Sequence, residues 1–160
     1  MSISLRLKYI VSLVTPGNRC ADIGTDHGFV PACLIKEGIS EYVIASDISA
    51  GSLKKAEELA KRYDITDRML CRLSDGLENI APGEVDTLII SGMGGIAMTN
   101  ILDKKPAVLD MVSELILSPH RDSNLVRDFV IDHGFVILSD ETITDKKKDY
   151  VIIKAVRQNG

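Results

Sequence analysis

Short apolar runs that alternate with helix-like segments constrain this chain more than any other feature. The runs are Arg19 to Ile23, Tyr42 to Ser46, Met69 to Leu73, Asp86 to Ile90 and Leu115 to Leu117. Between and after them lie helical patterns from about Gly28 to Glu37, with Gly38 as C-cap, from Ala50 to Arg62, from Gly92-Met93-Gly94-Gly95 to about Leu102, and from Arg121 to Asp132. Strands separated by helices pair in parallel, so the pattern predicts an α/β fold: a mainly parallel sheet with helices on both faces. Phe135 to Leu138 and Tyr150 to Val156 read as an antiparallel C-terminal hairpin joined by the polar turn Thr144 to Asp149. Ahead of the sheet, Ser4 caps a helix carrying Leu5, Ile10, Leu13 and Val14, which stops at Pro16-Gly17. With 160 residues, 45% of them hydrophobic, the chain builds one cored domain over 1–160 and has no room for a second.

Ligands on such sheets bind beyond the carboxyl ends of the strands. The first strand end reads R-C-A-D-I-G-T-D-H-G-F-V-P from Arg19 to Pro31, a glycine turn crowded with acid. A dinucleotide brings a pyrophosphate that seeks bare N–H groups at a helix N-terminus, and Asp22 and Asp26 repel it. The spacing is G-x-x-x-G and lacks the third glycine of a dinucleotide loop, which disfavours a nicotinamide-dependent oxidoreductase. S-adenosylmethionine brings an ammonium and a sulfonium, which carboxylates flanking Gly24 attract and hydrogen-bond. The same residues also suit an ordinary strand-to-helix turn, with Asp as cap and Gly at positive φ.

The remaining strand ends converge on the same crevice. Asp47 follows Gly24 by 23 positions in the sequence, which suits a carboxylate bidentate to the ribose diol of an adenosine. After the third run, Asp75 is placed to accept from an adenine amino group at the Asp75-Gly76 turn, and Leu77 and Ile48 offer flat apolar contacts; a plain S-D-G turn accounts for Asp75 equally well. Gly92 and Gly94 admit close approach of backbone to cofactor around Met93, or simply make a tight turn. His27 and His120 are candidate chemical groups, against the commoner role of hydrogen-bonding histidines. Arg6, Lys8 and the tip lysines Lys146, Lys147 and Lys148 read as solvated faces able to touch phosphate.

A formal net charge of −4 gives no global basic field, so a nucleic-acid partner must be held by a local patch. Cys20, Cys33 and Cys71 are odd in number and lack C-x-x-C spacing, which argues against a disulfide framework or a metal site and for reduced core thiols in the cytoplasm. The amphipathic, Arg- and Lys-bearing N-terminus is not a cleavable signal, and no run approaches a membrane span.

In combination, I-S-L-R-L at Ile3 to Leu7, A-D-I-G-T-D-H-G-F-V-P at Ala21 to Pro31, D-G-L at Asp75 to Leu77 and D-T-L-I-I-S-G-M-G-G at Asp86 to Gly95 resemble the bacterial tRNA adenine-22 N1-methyltransferases of the TrmK type. The resemblance covers nearly the whole chain. It implies the class I, Rossmann-like methyltransferase fold, S-adenosyl-L-methionine as cofactor and tRNA as substrate. It further implies Asp22, Gly24, Asp47, Asp75 and Gly92 as cofactor contacts, and puts Asp26 and His27 at the reaction centre. Arg6, Phe29 and His120 are read beside it as candidate substrate-binding residues, Phe29 as an apolar face for a flipped base. Two departures stand out: Ser118-Pro119-His120 replaces the family's usual Q-P-N, and the family's C-terminal helical extension is missing from this sequence. They leave open a cofactor-binding protein of the same fold that is non-catalytic or methylates another acceptor.

Overall fold

The computed structural model describes residues 1–158, and its sheet is built around four strands buried on both faces. These are β1 (Cys20–Ile23), β2 (Val43–Asp47), β4 (Thr87–Met93, buried over its first four residues) and β5 (Glu114–Pro119); β3 (Met69–Leu73) is the half-exposed outer strand beside β2. The seven strands run in the order β3-β2-β1-β4-β5-β7-β6, where β6 (Phe135–Asp145) and β7 (Lys148–Arg157) close the far edge. Strands β1 to β5 are parallel, and β7 runs antiparallel to both β5 and β6. This is the mainly parallel sheet with an antiparallel C-terminal hairpin expected from the sequence.

The two-residue period of the strands divides the core into two layers. Ala21, Ile23, Ile44, Leu88, Ile90, Leu115 and Leu117 face one side, where they meet α4 (Gly95–Lys104), α5 (Pro106–Leu109) and α6 (Ser123–Asp132). Cys20, Val43, Ala45, Ile89 and Ile116 face the other, against α1 (Leu5–Leu13), α2 (Phe29–Lys36) and α3 (Ala50–Arg62). Three helices therefore cover each face. Burial pushes the Cys20 thiol up to about 12, so this core cysteine is an inert thiol.

Glu114, at the start of β5, locks the end of the sheet opposite the strand carboxyl termini. Its buried carboxylate accepts from Thr15 Oγ1 at 2.6 Å, the Thr15 N–H at 3.1 Å and Thr87 Oγ1 at 2.7 Å, and pairs with Lys154 Nζ at 3.2 Å. Burial raises its pKa, but these hydrogen bonds and the Lys154 charge outweigh that and hold it below the ordinary range.

Several details differ from the sequence expectation. Gly92 and Met93, expected to open the helix to Leu102, instead end β4 past a bulge, and α4 starts at Gly95. The hairpin turn is not Thr144 to Asp149: the strands continue to Asp145 and from Lys148, leaving only Lys146 and Lys147, both at positive φ (51° and 67°), to turn the chain. Strand β6 runs seven residues beyond Leu138 because its polar, alternately exposed residues still pair with β7. Helix α5, initiated by Pro106 at its first position, has no counterpart in the expected elements.

Candidate cofactor and active site

The acidic loop after β1 is fixed by its neighbours before any ligand arrives. The N–H groups of Gly24 and Thr25 donate to the Ser46 carbonyl at 2.9 and 2.8 Å, which ties the loop to the end of β2. Asp47 spans the gap as well: its Oδ2 accepts from the Asp26 N–H and its Oδ1 from the Ser49 N–H, each at 2.9 Å. That bond holds Asp26 at φ 58°, in the left-handed region that Asp and Asn tolerate better than most residues. The carboxylate of Asp47 retains a second lone pair on each oxygen for a ligand hydroxyl.

Asp22 lies near the end of β1 with its carboxyl almost wholly buried. It is 3% exposed, and its one side-chain partner is Thr25, whose Oγ1 donates to Oδ2 at 2.9 Å. Burial pushes its pKa up to about 7; the Thr25 hydrogen bond opposes the shift, and the charges of Asp47 and Asp26 add to it. A buried carboxyl facing two other acids is a site that gains from an arriving cation.

Arg6, Leu7, Asp22, Gly24, Thr25, Asp26, His27, Phe29, Val30, Ser91 and Gly92 line one cleft of about 220 Å³. His27 Nδ1 lies 2.9 Å from Asp26 Oδ2, and its ring stacks on Phe29 with centroids 5.7 Å apart. Strand β4 shifts register between Ser91 and Met93, and Gly92 at φ 85° forms this bulge with open space where a Cβ would stand. Met93 reaches back so that its Cε lies 3.4 Å from the place a Gly24 Cβ would occupy.

Of the other residues singled out from the sequence, Asp75, Gly76 and Leu77 line a separate hollow with Glu78, Asn100, Ile101, Lys104 and Lys105, also about 220 Å³, which shares no lining residue with the cleft. Within it Leu77 is 2% exposed and belongs to the core, whereas Ile48, just past Asp47, is 68% exposed. Gly94 is the N-cap of α4, with the Arg121 side chain packed over it. His120 is exposed; its N–H donates to the Met93 carbonyl at 3.0 Å, and its side chain is not part of the cleft lining. Ser91 lies in the D-T-L-I-I-S-G-M-G-G run and Thr25 in the acidic run picked out from the sequence; the bond from Thr25 to Asp22 fits a threonine three positions after a buried aspartate, the spacing of a local side-chain bond. Gly28 was anticipated only as a helix start; at φ 80° it also packs where a Cβ would come within 2.9 Å of Ala56 Cβ.

The sheet order, with an acidic, glycine-lined crevice beside the end of β1, is that of a Rossmann-like domain. The family model described as a methyltransferase domain matches residues 3–153, and the chain belongs to that family. The tRNA (adenine(22)-N(1))-methyltransferase of Bacillus subtilis is 26% identical over 155 residues, which cover 97% of this chain and 65% of that enzyme. The crystal structure of the B. subtilis m1A22 tRNA methyltransferase TrmK superposes with a TM-score of 0.94 at 26% identity, covering 99% of this chain and 68% of the other. A Streptococcus pneumoniae protein crystallised in complex with S-adenosyl-L-methionine matches with a TM-score of 0.93 at 28% identity, over 99% of this chain and 75% of that one. The chain thus spans about two thirds of the length of these relatives. No helix among the described residues is long and apolar enough to cross a membrane.

Proposed function

We propose that the chain is an S-adenosyl-L-methionine-dependent methyltransferase acting on N1 of adenosine 22 in tRNA. The observation that carries the cofactor is Asp22: a buried carboxyl that lines the cleft with Asp26, its pKa pushed up to about 7 chiefly by burial and further by the charges of Asp47 and Asp26. An ammonium group relieves that arrangement, whereas a pyrophosphate worsens it. The acceptor rests on similarity to the Bacillus enzyme along 97% of this chain. The cytoplasm, where tRNA is modified, is the matching compartment.

The residues divide by position. Asp22 and the Gly24 turn receive the amino-acid tail, Asp47 has lone pairs left for the ribose diol, and Ile48 with Asp75 suits the adenine. Gly92, Gly94 and Met93 let the β4 turn approach the reacting centre. When bound, the cofactor supplies an activated methyl group on sulfur. Adenine N1 already carries an in-plane lone pair, so no base is needed to create the nucleophile; the protein's task is in-line placement and charge stabilisation. Asp26, with its carboxylate 71% exposed and paired to His27, is the group to steady positive charge that develops on the base near N6 and to accept a proton afterwards. Phe29 offers an exposed ring face against which an extruded base stacks.

The test is methyl transfer from labelled S-adenosylmethionine to unmodified tRNA transcripts carrying adenosine or guanosine at position 22. Label on the adenosine transcript alone is expected. Equal labelling of both, or of neither, refutes this acceptor.

A further inference from the structure

The two helical layers that cover the sheet differ in charge. Helices α1, α2 and α3 hold seven lysines and arginines against two glutamates, whereas α4, α5 and α6 hold two against three aspartates. A chain of formal net charge −4 thus carries one basic layer of helices. On that layer Arg6 and Lys36 are committed to aromatic rings, the Arg6 guanidinium carbon 4.7 Å from the centroid of Tyr150 and Lys36 Nζ 5.6 Å from that of Tyr63. The cations of α3, Lys54, Lys55, Lys61 and Arg62, are exposed, and none forms an ion pair among the described residues. Lys55 and Arg62 line a trough of about 170 Å³ with Glu58, Leu59, His27 and Phe29. His27 and Phe29, stacked on one another, also line the acidic cleft, so they form the ridge between trough and cleft.

We propose that this trough is the track for the RNA backbone beside the target nucleotide, with Lys55 and Arg62 contacting its phosphates. The inference rests on the tRNA reading above. Asp22, Asp26 and Asp47 repel phosphate from the cleft, so a strand that delivers a base across Phe29 must keep its charge outside, and unpaired cations stand in the trough on the other side of that ring. Lys55 and Arg62 are seven residues apart, which puts them on one face of α3 and about 10 Å apart along its axis. Glu58 falls between them in sequence and disfavours a phosphate at mid-trough, so the backbone is held at the two cationic ends. Such contacts carry no base identity: they set the register in which an extruded nucleotide meets Phe29, while the choice of base falls to the cleft. Lys54 and Lys61 share the helix but do not line the trough, and they add only to the surrounding field. A membrane surface is the less suitable occupant, because both leucines of α3 are buried and leave no large apolar side chain to insert.

The experiment compares two charge-neutralised pairs on the same helix, Lys55→Gln/Arg62→Gln and Lys54→Gln/Lys61→Gln, which alter net charge and helix propensity alike. The readouts are S-adenosylmethionine affinity by calorimetry, and kcat and KM for unmodified tRNA across a salt series. Cofactor affinity is expected to match wild type in both pairs. For Lys55→Gln/Arg62→Gln, KM for tRNA rises roughly 5- to 30-fold, the scale of two exposed charge contacts. In that pair kcat at saturating tRNA stays within about twofold of wild type, as loss of uniform binding requires. Its log–log dependence of KM on salt also flattens by about 1 to 2. Lys54→Gln/Lys61→Gln shifts KM by less than about threefold, since charges off the track are screened. An equal loss in both pairs, or none in the first, overturns the track, while methyl transfer by wild type leaves the tRNA reading standing. Vesicles of phosphatidylserine probe the other anionic surface: binding that Lys55→Gln/Arg62→Gln abolishes, with KM for tRNA unchanged, overturns the track as well. If wild type binds S-adenosylmethionine and methylates no tRNA, the tRNA reading fails and the track with it.

Discussion

Replacing Asp22 by Asn is expected to make the ligand-free protein more stable while weakening its hold on the cofactor. The carboxyl is 3% exposed and its pKa rises from 3.8 to about 7, mainly through burial, with Asp47 and Asp26 adding repulsion. A carboxyl whose folded pKa is raised costs nothing below its unfolded pKa. The penalty grows as pH climbs through the window between the two values and is complete above the folded one. The gap between the ordinary and the raised value makes the penalty on the order of a few kcal/mol at pH 8 and less than half of that at pH 5. Asn keeps the shape and a partner for Thr25 and never ionises. Urea unfolding at pH 5 and pH 8 therefore shows Asp22→Asn gaining on wild type, with the larger gain at pH 8. In the same variant S-adenosylmethionine affinity falls, because the ammonium loses its carboxylate. For wild type, affinity rises with pH up to about 7 and binding below that releases a proton, since the cation selects ionised Asp22. A stability gap independent of pH, or a variant less stable than wild type at pH 8, refutes the reasoning.

Asp26→Asn keeps the left-handed backbone and its N–H bond to Asp47, so cofactor affinity stays within a few-fold while turnover drops by about two orders of magnitude, as loss of a positioned acid–base group does; parallel titration and single-turnover assays check the split, and equal loss of affinity in Asp26→Asn and Asp22→Asn contradicts it. Gly28→Ala brings a Cβ within 2.5 Å of Met69 Cε and 2.9 Å of Ala56 Cβ at φ 80°, so denaturant unfolding shows a loss of about 2–4 kcal/mol from strain and overpacking together. Glu114→Ala leaves Lys154 and two threonines without their shared acceptor and costs about 3–5 kcal/mol at neutral pH, whereas Glu114→Gln costs less. Because the folded pKa of Glu114 is lowered, its contribution is present above the ordinary glutamate range and is lost as pH falls, so the wild-type advantage over Glu114→Gln narrows in acid.

The sheet was legible because β1, β2, β5 and the first four residues of β4 are buried on both faces and read as mostly apolar runs. The acid in the first loop was legible for the same reason, since Asp22 and Asp26 sit where an apolar strand ends. What lay outside the sequence was mostly distance between segments. Nothing local reveals that Asp47 bonds the Asp26 N–H, or that Arg6 rests on Tyr150 under the hairpin. The hairpin itself was misjudged because Ser139 to Thr142 look like loop, although they form an edge strand with its polar side out. Its two-residue turn also lacks the Asn-Gly signal, with Lys146 and Lys147 taking up the positive φ angles instead. Helix α5 escaped because four residues carry too little periodicity to register. Leu77 reads from its place after Asp75 as an apolar contact, and the fold gives it two neighbourhoods at once, the core and the lining of the hollow beside Asp75 and Gly76.

Calorimetric titration of the purified chain at pH 7.5 with S-adenosylmethionine, S-adenosylhomocysteine and NAD most directly tests the claim that the acidic crevice is built for a cationic amino-acid tail. The account predicts saturable one-to-one binding of the first two, lost in Asp22→Asn, and none of NAD. Binding of NAD with no response to either methionine derivative contradicts it.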